Sequence, residues 1–308
     1  MKPPALRQGV VVFGSLNMDL VARVPRMPGP GETLTGESLL VNPGGKGANQ
    51  AVACARQGAR VQMVGRVGDD VFADQLRSAL ATQRVGHADV RRTPATRTGV
   101  AMIMVDDRAQ NCITVIPGAN AMVTRADAES LRTHLGQASM LLLQLEVPIA
   151  AVVRAAEVAR EAGCVVLLNP APAQALPAEL WRSVDILVVN ESEASLLSGL
   201  PSVTRSNAPE AADLLRRHGP ADVLLTLGDQ GVVWCSAAGA KHFDARPVQP
   251  VDTTAAGDTF IGALAAQLVE GCRMAEAIAH AIRAAAICVT RPGAQASMPT
   301  RAEVDAFP

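Results

Sequence analysis

Short apolar runs bounded by Gly, Asn or Pro alternate along the chain with longer stretches whose apolar residues recur at helical spacing. The runs Val10–Phe13, Val61–Val64, Ser139–Leu145, Cys164–Leu168, Asp185–Val189 and Val223–Leu227 predict buried strands. The periodic stretches Ala48–Gln57, Val71–Arg84, Ile149–Glu161, Ala208–His218, Asp258–Glu270 and Met274–Val289 predict helices, and Gly58, Gly163 and Gly271 stand where C-terminal caps are expected. Continuously apolar strands that alternate with helices predict an α/β fold, its sheet mostly parallel and covered on both faces. Two stretches, about 20–41 and 96–116, break the rhythm. They alternate like extended strands, contain no helical pattern and offer Asp106–Gln110 as a hairpin turn. They predict a small β lid projecting from the α/β core, the plainer alternative being ordinary surface hairpins.

Composition narrows the class. About half of the 308 residues are apolar, enough for a sizeable core, and the formal net charge is −1. With no tyrosine and only Trp181 and Trp234 as indoles, the chain lacks the basic excess and stacking platforms of a nucleic-acid binder. Lys2 and Arg7 precede an apolar run too short for a signal-peptide core, and the longest apolar stretches are strand-length rather than membrane-spanning. Cys54, Cys112, Cys164, Cys235, Cys272 and Cys288 form no C-x-x-C pair and have no His at metal spacing, so reduced structural thiols are expected. The pattern is that of a cytoplasmic protein.

Polar residues cluster at the carboxyl ends of the predicted strands. Asn17 and Asp19 follow the first strand, Glu146 the third and Asn169 the fourth, while Asn190 and Thr226–Gly228 close the next two. In open α/β sheets ligands bind in the crevice along that edge. One polar strand terminus is ordinary; this many on one edge predict a single long cleft.

Three segments carry the candidate chemistry. Gly44-Gly45-Lys46-Gly47-Ala48-Asn49-Gln50 opens a helix with glycines that permit close backbone approach, and Lys46 and Asn49 add side-chain donors. It suits a hydroxyl-rich ligand, lacks the Gly-Lys-Ser/Thr of a Walker A loop, and could also be a plain turn. Asn17 and Asp19 point the same way on an extended backbone and can grip adjacent hydroxyls, although an Asn at a strand exit also simply turns the chain. Asp252-Thr253-Thr254-Ala255-Ala256-Gly257-Asp258-Thr259-Phe260 leads small residues into a helix whose first amides are unpaired, a ready anion site. There Asp258 could meet a hydroxyl beside a bound phosphate, or be a first-turn residue that complements the helix dipole.

Gly44–Gln50 and Asp252–Phe260 resemble the two signature motifs of the PfkB/ribokinase family. Asn190-Glu191-Ser192-Glu193 is similar to its N-x-x-E motif, and Thr226-Leu227-Gly228-Asp229-Gln230-Gly231 to its nucleotide loop. Gly14-Ser15-Leu16-Asn17-Met18-Asp19, Gln144-Leu145-Glu146 and Asn169-Pro170-Ala171-Pro172-Ala173 match in order and spacing, so the likeness runs from about residue 10 to Phe307. Asn42-Pro43 departs from the apolar residue common in that family.

The resemblance implies one doubly wound α/β kinase domain over residues 1–308, with a β lid that often clasps a homodimer. It implies sugar contacts at Asn17, Met18, Asp19, Gly45, Lys46, Gly47, Asn49, Glu146 and Asp258. Asp258 would be the general base, and the amides of Ala255, Ala256 and Gly257 the anion hole. ATP would lie over Asn190, Glu193, Thr226, Leu227, Gly228, Asp229, Gln230, Gly231 and Gly257, with Ile282 and Arg283 beside the adenine. Glu193 would organise Mg²⁺ through water, and a monovalent cation, usually potassium, would bind at Asp252, Thr254, Cys288, Arg291, Gly293 and Ser297, mostly through carbonyls. Ribose is the leading sugar. Siblings acting on deoxyribose, fructose, a keto-deoxy sugar acid or a nucleoside are the alternative. A sugar-responsive regulator is disfavoured because only about nine residues precede the first strand, and a nicotinamide-dependent dehydrogenase because no G-x-G-x-x-G follows that strand.

Overall fold

The computed structural model describes residues 9–108 and 110–308; Lys2 and Arg7, and Ala109 in the expected Asp106–Gln110 turn, lie outside them. Thirteen strands run through the described residues: β1 (Gly9–Phe13), β2 (Asn17–Arg23), β3 (Ser38–Gly44), β4 (Arg60–Val67), β5 (Val90–Arg92), β6 (Gly99–Val105), β7 (Asn111–Ile116), β8 (Met140–Leu143), β9 (Val165–Leu168), β10 (Ile186–Asn190), β11 (Asp222–Thr226), β12 (Val232–Ser236) and β13 (Gly239–Phe243). Nine form one sheet in the order β13-β12-β11-β10-β9-β8-β1-β4-β5. From β11 across to β5 every pairing is parallel; β12 and β13 add an antiparallel edge.

Burial on both faces explains the continuous apolar runs. Along β1, Val10 and Val12 pack with helices Lys46–Arg56, Ala256–Val269 and Met274–Val289, whereas Val11 and Phe13 pack on the opposite face with helices Ile149–Glu161 and Ala208–Arg216. Full burial of such side chains contributes about 1.5–3 kcal/mol each before the entropy of ordering is set against it. Gly58, Gly163 and Gly271 all take positive φ just beyond their helices, as their expected capping role requires. Among the described residues no helix is long and apolar enough to cross a membrane.

The remaining four strands form a separate sheet, β3-β2-β6-β7, that stands off the core as a lid. β2 pairs antiparallel with β3 and parallel with β6, and β6 pairs antiparallel with β7. The lid begins at Asn17 itself, so Asn17 and Asp19 belong to its first strand and end up on one side of it. Met18 alternates to the other side, and its side chain is buried in the core.

Candidate functional site

The carboxyl ends of β1, β8, β9, β10 and β11 and the starts of helices Lys46–Arg56 and Ala256–Val269 converge on one cleft. Part of it is a cavity of about 200 Å³ lined by Lys46, Asn169, Asn190, Glu193, Thr226 and the Thr253–Asp258 turn, among others. A second cavity, of about 160 Å³, opens at the amino ends of β1 and β4, away from every motif described above.

Close helix packing brings the two signature segments together. A Cβ on Gly262 would lie 2.4 Å from Ala53 Cβ and 2.8 Å from Cys54 N, so only glycine permits this approach. Gly262 lies one turn beyond Asp258, and Ala53 one turn beyond Asn49, so the contact sets Asn49 and Gln50 against Asp258. Asn49 Nδ2 donates to Asp258 Oδ2 and Gln50 Nε2 to Asp258 Oδ1, both at 3.1 Å. Gln295 Nε2 donates to Asn49 Oδ1 at 3.2 Å and so directs the Asn49 amide. Gln144 Nε2 donates to Gln50 Oε1 at 2.6 Å and does the same for Gln50.

The lid side of the cleft is acidic. Glu146 Oε2 accepts from Ser15 Oγ at 2.5 Å, from the Lys46 N–H at 3.1 Å and from Asn17 Nδ2 at 3.5 Å. Gly45 takes φ 88°, and a Cβ there would lie 2.6 Å from Asn17 N, so the glycine turn packs directly on the lid strand. Gly47 is packed as closely, its N–H donating to Ser15 Oγ at 3.3 Å. Asp19 is 8 % exposed, and no described residue donates a hydrogen bond to its carboxylate. Burial, then the charges of Glu146 and Asp258, raise its pKa to about 7. Burial pushes the Lys46 ammonium down, but Asp258, Glu146 and Glu193 outweigh that effect and leave its pKa above the ordinary value.

The Asp252–Asp258 turn is strained where the helix begins. Ala255, which is not a glycine, takes φ 59° at the N-cap. The Ala256 N–H is already engaged by Thr253 O at 3.2 Å, whereas no described acceptor takes the Gly257 or Asp258 N–H. A Cβ built on Gly257 meets nothing within 4 Å. Open donors beside empty space at a helix start fit an anionic phosphate.

Asn190 and Glu193 form a reciprocal capping box on helix Glu191–Ser198, so the N-x-x-E spacing is also sound local helix chemistry. Glu193 Oε2 accepts from Asn190 N at 3.0 Å and from Asn169 Nδ2 at 3.4 Å, and Oε1 accepts from Asn190 Nδ2 at 3.1 Å. With its lone pairs so committed, and with burial raising its pKa, Glu193 suits a divalent ion held through water better than one bound directly. No group of three or more acidic, His or Cys residues among those described could cage a metal.

The residues expected around a monovalent ion also meet. Asp252 accepts from Thr254 N–H at 2.9 Å and Gly293 N–H at 2.8 Å. Burial pushes its carboxyl up, but these hydrogen bonds prevail and hold it below the ordinary carboxylate range. Cys288 Sγ lies 3.0 Å from Ser297 Oγ and 3.8 Å from Thr254 O. The Arg291 side chain turns away to Glu303, leaving its main chain for the site.

Not every expected residue reaches the cleft by its side chain. Besides Met18, Leu227 is buried in the core while Gly228, Asp229 and Gln230 stay exposed on the loop. Ile282 is a core residue, 8 % exposed and absent from the cavity wall. Gln50, Asn120, Ser15 and Gln295, none of which stood out as site residues in the sequence, hold the site residues in place. Gln50 at least sits inside a signature motif; Asn120 has no local signal.

Comparison with known proteins identifies the family. Residues 7–301 match the model of the pfkB family of carbohydrate kinases. The chain is 39% identical over 302 residues to the ribokinase of Haemophilus influenzae, covering 98% of this chain and 99% of that one. It is 37% identical over 292 residues to the deoxyribokinase of Salmonella typhi, covering 94% and 95%. Among solved structures, Arabidopsis thaliana ribokinase complexed with ribose and ATP superposes with a TM-score of 0.88 at 34% identity, covering 96% of this chain and 97% of that one.

Proposed function

Because the chain belongs to the pfkB family of carbohydrate kinases, and is thus an ATP-dependent sugar kinase, we propose that it phosphorylates the 5-hydroxyl of D-ribose to give D-ribose 5-phosphate. The observation that carries the choice of sugar is the Asp19 carboxylate, buried beside Asn17 and without a donor among the described residues. Such an acceptor is satisfied by sugar hydroxyls, and a site built to bond a hydroxyl discriminates against a sugar lacking it. Asn17, Asp19, Gly45, Asn49 and Glu146 hold the sugar, with Lys46 over its reacting end.

Phosphoryl transfer depends on alignment and charge stabilisation more than on covalent chemistry. Asp258, oriented by Asn49 and Gln50, holds the 5-hydroxyl and finally takes its proton as the new O–P bond forms, the bond from the γ-phosphorus to the bridging oxygen breaks and ADP leaves. The open amides of Gly257 and Asp258, with Ala255 and Ala256 shaping the turn, stabilise charge on the transferring phosphoryl oxygens. The nucleotide lies over Asn190 and the Thr226–Gly231 loop. Glu193 would hold a divalent ion such as Mg²⁺ through water, and that ion would supply positive charge against the ATP phosphates. Asp252, Thr254, Cys288, Arg291, Gly293 and Ser297 would hold a potassium ion, mostly through carbonyls, and its charge would help order the anion-binding turn. Leu39, Leu40, Val41, Met102, Ile113, Val115 and Ile116 expose an apolar surface on the lid, which suits pairing with a second copy of the chain.

The similarity to a deoxyribokinase supplies the competing reading, and ADP release against a panel of sugars and nucleosides separates the two. Ribose should exceed 2-deoxyribose in kcat/KM by at least about tenfold. Equal or reversed efficiency overturns ribose and leaves the sugar kinase standing.

A further inference from the structure

Asn120 lies on the helical turn Gly118–Met122, where the chain leaves lid strand β7, and is 1 % exposed. Its side chain makes three hydrogen bonds to residues more than a hundred positions away. Oδ1 accepts from Leu16 N at 3.0 Å, while Nδ2 donates to Leu16 O at 3.0 Å and to Asn17 Oδ1 at 2.7 Å. The two bonds to the Leu16 backbone settle which end of this amide is oxygen and which is nitrogen, because an N–H must meet an acceptor and a carbonyl a donor. The third bond must therefore be a donation. It obliges Asn17 to turn its oxygen toward Asn120, leaving its NH₂ directed at Glu146 and the cleft.

The backbone around this pair is shaped to admit it. Gly99, the partner of Asn17 across β2 and β6, has no side chain where a Cβ would lie 2.3 Å from both Asn120 Nδ2 and Asn17 Oδ1. The turn carrying Asn120 is itself docked on the segment that leads into lid strand β6, through Ala119 N–H to Arg97 O at 2.8 Å.

We infer that Asn120 is a positioning residue for substrate recognition: it locks the Asn17 amide so that Asn17 presents only a donor to the sugar. A sugar hydroxyl can then accept from Asn17 and pass its own hydrogen to the acceptor at Asp19, giving each bond one direction. Were the Asn17 amide free to flip, half of its orientations would set oxygen against the hydroxyl oxygen and the carboxylates. This inference rests on the ribose reading.

The test is a double-mutant cycle on the full chain, with D-ribose and ATP binding measured separately by calorimetry. Asn120→Ala should weaken ribose binding by at least about tenfold and leave ATP binding within about twofold. In an Asn17→Ala background the same substitution should change ribose affinity by less than about twofold, because its effect runs through Asn17. Additive losses, equal loss of ATP and ribose, or no loss of ribose binding overturn the inference. If Asn120→Ala does not fold, Asn120→Asp decides. Its ionised carboxylate sets oxygen against Leu16 O and Asn17 Oδ1, whereas its protonated form restores one donor. Asp19 and Glu146 face the same site in both proteins, so the readout is the ratio of variant to wild-type affinity. Burial at this position raises that carboxyl above the ordinary carboxylate range, so the ratio should recover by at least about threefold between about pH 8 and about pH 5.5, and a constant ratio refutes the role. Wild-type protein that binds no ribose overturns the substrate reading, whereas additivity in a ribose-binding protein overturns Asn120 alone.

Discussion

Replacing Asp19 by Asn should make the sugar-free protein more stable at high pH while removing its grip on the sugar. The carboxyl titrates near pH 7 in the fold against 3.8 ordinarily, first because it is buried and then because Glu146 and Asp258 repel its charge. Since the folded pKa is the higher one, the folded chain holds more protons than the unfolded chain between those values, and stability falls as pH rises through that window. Each unit is worth about 1.4 kcal/mol, so ionising Asp19 costs the fold on the order of 4 kcal/mol at about pH 8 and less than half of that at about pH 5. Asn carries a cost of its own, about 1–3 kcal/mol for a buried amide without partners, but that cost does not vary with pH. The informative quantity is therefore the variant-minus-wild-type stability at two pH values. It should rise by about 1–3 kcal/mol from pH 5 to pH 8. In thermal melts without sugar this corresponds to about 2–4 °C per kcal/mol. A difference that is flat, or that shrinks as pH rises, would show that Asp19 is not held against its charge, and the electrostatic account of the pocket would fail with it.

Asp258→Asn keeps the shape and one of the two amide bonds, sets its own NH₂ against the other amide's donor, and removes the proposed proton acceptor. Single-turnover phosphorylation should slow by about 10²–10⁴-fold or more with ATP affinity little changed, while the unpaired buried donor costs the fold about 1–3 kcal/mol. Gly257→Ala should divide stability from activity. Its Cβ meets no protein atom and its φ is not positive, so the fold should gain about 0.4–1 kcal/mol, while the methyl in the phosphate space cuts kcat by at least about tenfold. Potassium should activate more than sodium and raise the melting temperature; activity unchanged when a bulky tetraalkylammonium replaces potassium would remove the cation site from the Asp252–Ser297 region.

Much of the framework is written locally. Ile149–Glu161 and Met274–Val289 are helices over the ranges that their apolar periodicity predicts, because each buries one face against the sheet. The hairpin β12–β13 left a weaker trace. Gly239–Phe243 is an edge strand with its first three residues exposed, so no continuous apolar run marks it. The same division runs through the site. Asp258 and Asn190–Glu193 stand in motifs whose spacing follows helix starts, and are legible for that reason. Met18 shares a motif with Asn17 and Asp19, yet strand alternation sends it to the core. Asn120 lies 104 residues from Leu16, and its partners exist only once both lid connections have formed, so no window of the sequence could reveal it. Gly262 resembles any helical glycine until Ala53 is placed against it.

The acids of the cleft also bear on how the site works. Glu146, Asp258 and Glu193 gather around Lys46, Asp19 lies by Glu146 and Asp258, and the cavity lining offers no arginine among the described residues. Their hydrogen-bond donors are amides, hydroxyls and backbone N–H groups, which fix geometry without neutralising charge. A triphosphate entering this cleft meets like charges, and one ammonium cannot offset them. Burial strengthens that repulsion, because charges taken out of water are poorly screened. On the proposed placement of the nucleotide, cations must arrive with it, and discrimination between metal-bound and metal-free ATP would then be a property of the acid cluster rather than of any single ligand. In the proposed transfer, neutral donors orient Asp258 without adding a second cation beside Lys46. A lysine or arginine in place of Asn49 or Gln50 would hold the same carboxylate more tightly and spend the charge that the transfer needs.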